Sequence, residues 1–136
     1  MNTPSAFVLA GLLGWTLLLL VAMEVLRVAE VARGRVAPNE FRPDNSNLSP
    51  FMQRLARAHA NCIEGLPVFG GLLLLALATQ RTGITDPLAP WLLAARVLQS
   101  SVHIASTSVP AVNIRFAAFC VQMVIALVWT WRLLAF

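Results

Sequence analysis

A cation, an amide and a carboxylate interrupt a membrane-length apolar segment of this chain, at Arg57, Asn61 and Glu64. At about 100° per residue in an α-helix, this spacing places the three side chains within roughly 60° of one another. Hydrocarbon offers such groups no water, so they must find their partners inside the protein or in a ligand. The three residues are therefore candidates for a binding site at membrane depth.

The composition predicts an integral membrane protein. The 136 residues are 58% hydrophobic and 12% charged, with a mean hydropathy of +0.73, a balance that is rare in soluble domains. No segment is polar and long enough to build a second core, so residues 1–136 are expected to form one domain. The basic residues, all of them Arg, lack the interleaved aromatic residues of a nucleic-acid-binding surface, and no nucleic-acid partner is expected.

The supply of metal ligands and reactive thiols is small. Cys62 and Cys120 lie in separate apolar segments, where a thiol usually packs as a small hydrophobic group. No CxxC motif occurs, and the two histidines, His59 and His103, are far apart in the sequence. A structural zinc or haem site needs more ligands than these, so no metal site is predicted.

Hydropathy and helix-start signals predict an all-α bundle of four transmembrane helices, at about residues 5–32, 49–79, 87–106 and 110–134. Ser49-Pro50 and Asp86-Pro87 are typical of an N-cap followed by proline in the first helical turn. The first apolar segment has no preceding basic residue and no following cleavage site, so it is expected to remain in the mature protein. The prolines and asparagines between helices one and two predict the longest loop.

Arginine is concentrated in and beside this first loop, which predicts the orientation in the membrane. The arginines on that side are Arg27, Arg33, Arg35, Arg42, Arg54 and Arg57. The turn between helices two and three has only Arg81, together with Asp86. The positive-inside rule then places the first loop in the cytoplasm and both termini on the opposite side. An aromatic belt at that second interface is expected from Trp91, Trp129 and Trp131, with Arg132.

A second polar stripe lies on the third helix, at Arg96, Gln99, Ser100 and His103, and it can face the stripe on the second helix. Arg115 opens the fourth helix on the same side of the membrane. A pocket rich in guanidinium groups, with a few amides and carboxylates, suits a multiply charged anion. The alternative is a purely structural role, because polar side chains also hold membrane helices together.

The second-helix residues Arg57, Asn61, Glu64, Pro67 and Phe69, with their spacing, resemble the signature of the MAPEG family. These are the membrane-associated proteins of eicosanoid and glutathione metabolism. The length, the four spans, the long first loop and the arginines opening helices two and four agree with the family over roughly the full chain. The resemblance implies a homotrimer of four-helix bundles in which glutathione lies between adjacent subunits and faces the cytoplasm.

The resemblance also implies roles for individual residues. Arg115 would be the catalytic residue that stabilises the glutathione thiolate. The candidate glutathione-binding residues are Arg33, Arg57, Asn61, Glu64, Arg96, Gln99 and His103. Several members of the family place tyrosines against glutathione, whereas this chain contains no tyrosine. Gly65 and His103 fall at or near those positions, a departure that fits a differently specialised or inactive bacterial-type member of the bacterial inner membrane.

The implied chemistry is that of a glutathione transferase or peroxidase with glutathione as co-substrate. A thiol with a reference pKa of about 8.5 is largely protonated near neutrality. Lowering this pKa by one unit requires about 1.4 kcal/mol of preferential stabilisation of the thiolate. A guanidinium group in a low-dielectric pocket can supply that energy. The thiolate would attack a lipophilic electrophile or a lipid hydroperoxide that enters from the membrane lipid.

Two other classes of function remain open at the level of sequence. A small multidrug exchanger needs a membrane-embedded carboxylate, and Glu24 is the candidate, but Arg27 lies one turn away and would repel cationic drugs. A non-catalytic module could instead bind anionic lipid headgroups through the arginines of its first loop.

Overall fold

The computed structural model describes residues 2–135, which form four α-helices and one short 3-10 helix. The helices are α1 (Pro4–Ala32), α2 (Pro50–Ala78), α3 (Ala89–Ala105) and α4 (Val109–Leu134), and the 3-10 helix covers Thr82–Ile84. The predicted all-α fold of four helices is confirmed.

Three of the helices are long and apolar enough to cross a membrane: α1, α2 and α4 have mean hydropathies of 2.4, 1.7 and 2.0. Helix α3 has 17 residues, about 26 Å at 1.5 Å per residue, which is near the lower limit for a span. Its lower apolar content has a structural reason, because its polar side chains Arg96, Gln99 and His103 are buried against the other helices.

Hydroxyl N-caps begin three of the four helices. The side chains of Thr3, Ser49 and Ser108 each accept a hydrogen bond from the backbone three residues later, and a proline stands in the first turn. This bonding satisfies amide groups that would otherwise have no partner in hydrocarbon. The start signal predicted at Ser49-Pro50 is confirmed.

The start signal predicted at Asp86 is wrong. The Asp86 carboxylate accepts instead from the backbone N–H and the hydroxyl of Ser5, at 3.0 and 2.6 Å, so it caps the first turn of α1. Helix α3 accordingly begins at Ala89, and its N-cap residue Leu88 makes no side-chain capping bond.

The buried hydrophobic residues form two clusters: one packs the second half of α1 against the first half of α2, and the larger one lies toward the end that carries the chain termini. Leu73, Leu92 and Trp129 are each 0% exposed there and pack into one hydrophobic cluster. The expectation that Trp129 joins an interfacial belt is therefore wrong, because its position on α4 faces the other helices. Trp91 and Trp131 are 67% and 75% exposed, as residues at the outer surface should be.

The turn between α2 and α3 joins the two ends of the chain. Arg81 donates to the backbone oxygens of Leu133, Arg132 and Ala135, at 2.8, 3.0 and 3.1 Å. These carbonyls end α4 and have no intrahelical partner of their own. Together with the bond from Ser5 to Asp86, this contact places both described ends of the chain beside the α2–α3 turn.

The first loop, residues 33–49, is attached to α1 and α2 through Arg27 and Asn45. The Asn45 side chain is 0% exposed. Its oxygen accepts from Nε and Nη2 of Arg27 at 3.0 and 2.7 Å, and its nitrogen donates to the backbone oxygen of Met52 at 2.9 Å. Asn45 has a φ of 56°, in the left-handed region that asparagine tolerates better than most residues.

Replacing Asn45 by alanine is expected to lower the free energy of unfolding by about 2 kcal/mol or more. The change removes hydrogen bonds from a charged donor and adds strain at a positive φ. Thermal unfolding of the detergent-solubilised protein measures the effect, with the exposed residue Asn39 as control in Asn39→Ala. Similar melting temperatures for the two variants would show that the loop attachment contributes nothing.

Candidate functional site

A cavity of about 620 Å³ lies between α2, α3 and α4, a volume typical of small-molecule sites. Its polar wall consists of Asn61, Glu64, Arg96 and Gln99. The remaining wall is mainly apolar and is formed by Gly65, Val68, Phe69, Phe119, Met123, Ala126, Leu127 and Thr130. The cavity therefore offers a polar end and an apolar end to one ligand or to two adjacent ligands.

Arg96 is the most constrained charge of this wall. It is 4% exposed, its Nη1 donates to the backbone oxygen of Asn61 at 3.3 Å, and its guanidinium lies 5.5 Å from the ring centroid of Phe69. No carboxylate of residues 2–135 forms an ion pair with Arg96, so a positive charge without an acidic partner lies beside the cavity.

Gly65 leaves the space that the Arg96 side chain occupies. A Cβ atom at position 65 would lie 2.6 Å from Nη2 of Arg96 and 2.9 Å from a ring carbon of Phe69. Both distances are shorter than normal van der Waals contacts. Gly65, which falls at or near a position where several members of the family that this chain resembles have tyrosine, thus allows the guanidinium of Arg96 to lie directly against the backbone of α2.

Gln99 forms a side-chain pair with Gln122, which the sequence analysis did not single out. Nε2 of Gln122 donates to Oε1 of Gln99 at 2.8 Å and to the backbone oxygen of Ala118 at 3.0 Å. Gln122 is 0% exposed. The available signal was an amide in the middle of the apolar fourth helix, seven residues after Arg115 and hence on the same helix face.

Asn61 and His103 extend the polar wall toward the first loop. Nδ2 of Asn61 lies 3.4 Å from Nδ1 of His103, and the His103 side chain is buried. Three guanidinium groups interact electrostatically with this histidine, those of Arg54, Arg57 and Arg115. Two of these arginines, Arg57 and Arg115, belong to the set that the sequence places on this side of the bundle.

The other predicted site residues lie farther from the cavity or at its edge. Arg115 is half-buried, its Nε is buried without a hydrogen-bond partner among residues 2–135, and it does not line the cavity. Arg57 and Glu64 are exposed on the single chain. Arg33 is exposed in the first loop and pairs with Glu30 at 3.7 Å, so this chain does not bring it to the cavity.

The helices and the cavity define a class: a bundle of α-helices, three of them able to cross a membrane, with a partly polar cavity between α2, α3 and α4. The model of the MAPEG family matches residues 5–135, nearly the whole chain, and the protein belongs to this family. The family includes glutathione-dependent transferases and peroxidases. Searches among curated proteins and among solved structures gave no significant match.

Substituting Gly65 by alanine is expected to displace the Arg96 guanidinium and lower the free energy of unfolding by about 2 kcal/mol. The flexible end of the arginine can move, so the fold should survive, but the contact with Phe69 and the bond to Asn61 are lost. The measurement is thermal unfolding.

Gly71→Ala provides a matched control for this change on the same helix. A Cβ at Gly71 meets no atom within 4 Å, so its effect should stay within about 0.5 kcal/mol. Equal effects of the two substitutions would contradict the packing account of Gly65.

Proposed function

We propose that this protein is a membrane-bound glutathione transferase or peroxidase that acts on a lipophilic electrophile or hydroperoxide. Family membership supports glutathione as the co-substrate, because the MAPEG family generally uses it. The observation that carries the proposal is the buried guanidinium of Arg96 beside a cavity with one polar and one apolar end. A carboxylate of the tripeptide supplies the negative charge that this arginine lacks.

The polar wall offers complementary groups to the two kinds of charge on glutathione. Arg96 donates to a carboxylate, and Glu64 accepts from the α-ammonium group. Asn61 adds a neutral amide that hydrogen-bonds to the peptide portion. The apolar side chains Phe119, Met123 and Leu127 line the same cavity and form the surface along which the lipophilic substrate approaches.

Arg115 is the proposed stabiliser of the thiolate. Its guanidinium has a donor, Nε, without a hydrogen-bond partner among residues 2–135. Because Arg115 does not line the cavity of the single chain, this role requires the sulfur to lie between adjacent subunits of the proposed homotrimer. In the transferase reaction the sulfur forms a bond to the electrophilic carbon and the leaving group departs. In the peroxidase reaction two glutathione molecules reduce one hydroperoxide to alcohol and water and become the disulfide.

A homotrimer with shared sites is part of the proposal. Arg57 and Glu64 are exposed on the single chain, although they belong to a helix that can cross the membrane. Glu64 lies midway along α2, and a charged group that faces lipid at the centre of a bilayer costs about 2.5–3.5 kcal/mol. A neighbouring subunit that covers this face of α2 removes the cost and closes the site.

The orientation and location also belong to the proposal. The arginine-bearing first loop and the two described chain ends lie at opposite ends of the bundle. By the positive-inside rule we place the first loop in the cytoplasm, with the protein in a bacterial inner membrane.

Neither alternative function gains support from the contacts. Glu24, the candidate carboxylate of an exchanger, pairs with Arg27 at 3.2 Å. Two arginines at the start of the first loop, Arg33 and Arg35, share Glu30 at 3.7 and 3.3 Å. Part of the positive charge available for lipid headgroups is therefore neutralised within the chain.

Native mass spectrometry from detergent or nanodiscs is expected to detect three copies of the chain in one particle. The reason is the cost of leaving Glu64, midway along α2, in contact with lipid. A monomer that is folded and binds glutathione would contradict the shared-site arrangement.

The variant Arg115→Ala is expected to bind glutathione but to lose the ultraviolet absorbance of its thiolate. Without the guanidinium the thiol pKa returns toward its ordinary value of about 8.5. Where the thiol pKa lies above the assay pH, each unit by which it rises lowers the thiolate fraction about tenfold, and turnover with an electrophile should fall with that fraction.

Arg132→Ala is the matched control, because Arg132 lies on the same helix near its opposite end and is exposed. It should keep the thiolate signal and the turnover. A normal thiolate signal in Arg115→Ala would exclude the proposed role.

A further inference from the structure

We propose that Gln122 is a positioning residue that holds the Gln99 side-chain amide with its nitrogen, and not its oxygen, toward the cavity. The consequence for ligand choice rests on the proposed function: this part of the wall takes the carboxylate end of glutathione. A backbone carbonyl fixes this orientation through two hydrogen bonds.

The contact with Ala118 identifies the nitrogen and the oxygen of the Gln122 side-chain amide. A carbonyl oxygen can only accept hydrogen bonds. The Gln122 atom that lies 3.0 Å from the Ala118 oxygen must therefore be the nitrogen. Since Ala118 precedes Gln122 by one helical turn on α4, the bond forms within a single helix and does not depend on any ligand.

The contact with Gln122 in turn identifies the nitrogen and the oxygen of the Gln99 side-chain amide. The same nitrogen of Gln122 lies 2.8 Å from the Gln99 side chain. Two donors cannot hydrogen-bond to each other, so the Gln99 atom in this contact is the oxygen. The amide nitrogen of Gln99 is then the group left for the cavity that Gln99 lines.

The Gln122 side chain carries an energetic cost that an apolar residue at this position would not have. Its own oxygen is buried and has no hydrogen-bond partner among residues 2–135. A buried acceptor without a partner is destabilising, and leucine at this position would avoid the cost. The orientation of Gln99 is the gain that offsets it.

The result is a wall of α3 that only donates hydrogen bonds. Arg96 and Gln99 are three residues apart on one face of the helix, and arginine has no acceptor. A ligand group that contacts both must be an acceptor, such as a carboxylate, and an ammonium group is excluded. Glu64 on α2 is the carboxylate of the cavity wall, so the two helices distinguish the two ends of the tripeptide.

A ligand-free experiment tests the orientation itself. Side-chain amide signals of Gln99 are recorded by ¹H–¹⁵N NMR on the detergent-solubilised full chain. They are assigned by their loss in Gln99→Leu. We expect one sharp signal pair in the wild type and a shifted or broadened pair in Gln122→Met, where the amide can rotate. An unchanged Gln99 signal pair in Gln122→Met would overturn the proposal.

A double-mutant cycle tests the consequence for the ligand. Gln122→Met alone should weaken glutathione binding by about fivefold, the effect of roughly one hydrogen bond. In the Gln99→Leu background the same change should have no further effect, because Gln122 acts through Gln99. Equal weakening in both backgrounds would indicate a merely structural role and would overturn the proposal.

The two experiments separate this inference from the proposed function. Absence of glutathione binding in the wild type, with the Gln99 signals altered in Gln122→Met, would overturn the proposed function and retain the orientation. Binding in the wild type with unaltered Gln99 signals would overturn the orientation alone.

Discussion

A guanidinium group buried between membrane-spanning helices must be accommodated by the protein itself, and Arg96 is that group in this chain. It is 4% exposed and is held by the ring of Phe69, the backbone oxygen of Asn61 and the space above Gly65. These contacts stabilise the position of the charge without neutralising it. The charge therefore remains available to an anionic ligand in the adjacent cavity.

Side-chain hydrogen bonds attach the connecting segments to the helices at both ends of the bundle. At one end Arg27 and Asn45 attach the first loop to α1 and α2. At the other end Arg81 and Asp86 attach the α2–α3 turn to both described chain ends. The short helix α3 is held near its last turn by Arg54, whose Nε donates to the backbone oxygen of Ile104 at 2.8 Å. The register of α3 determines which of its side chains face the cavity.

Much of the fold followed from the sequence because hydropathy, proline and hydroxyl N-caps act locally along the chain. The polar stripes on α2 and α3 were predictable for the same reason, since helical periodicity alone places them. Partners across helices were not predictable in this way. Asp86 caps α1, Trp129 points inward and Gln122 pairs with Gln99 because of how the helices are rotated against one another, which no single segment encodes.

Calorimetric titration of glutathione into the wild type and into Arg96→Met, both in nanodiscs and both shown to be folded, tests whether the buried guanidinium of Arg96 binds glutathione. Methionine removes a buried charge that lacks an acidic partner, so the variant should fold. The account predicts saturable binding to the wild type and binding at least tenfold weaker to the variant. No saturable binding to the wild type, or equal affinity of the two proteins, would contradict it.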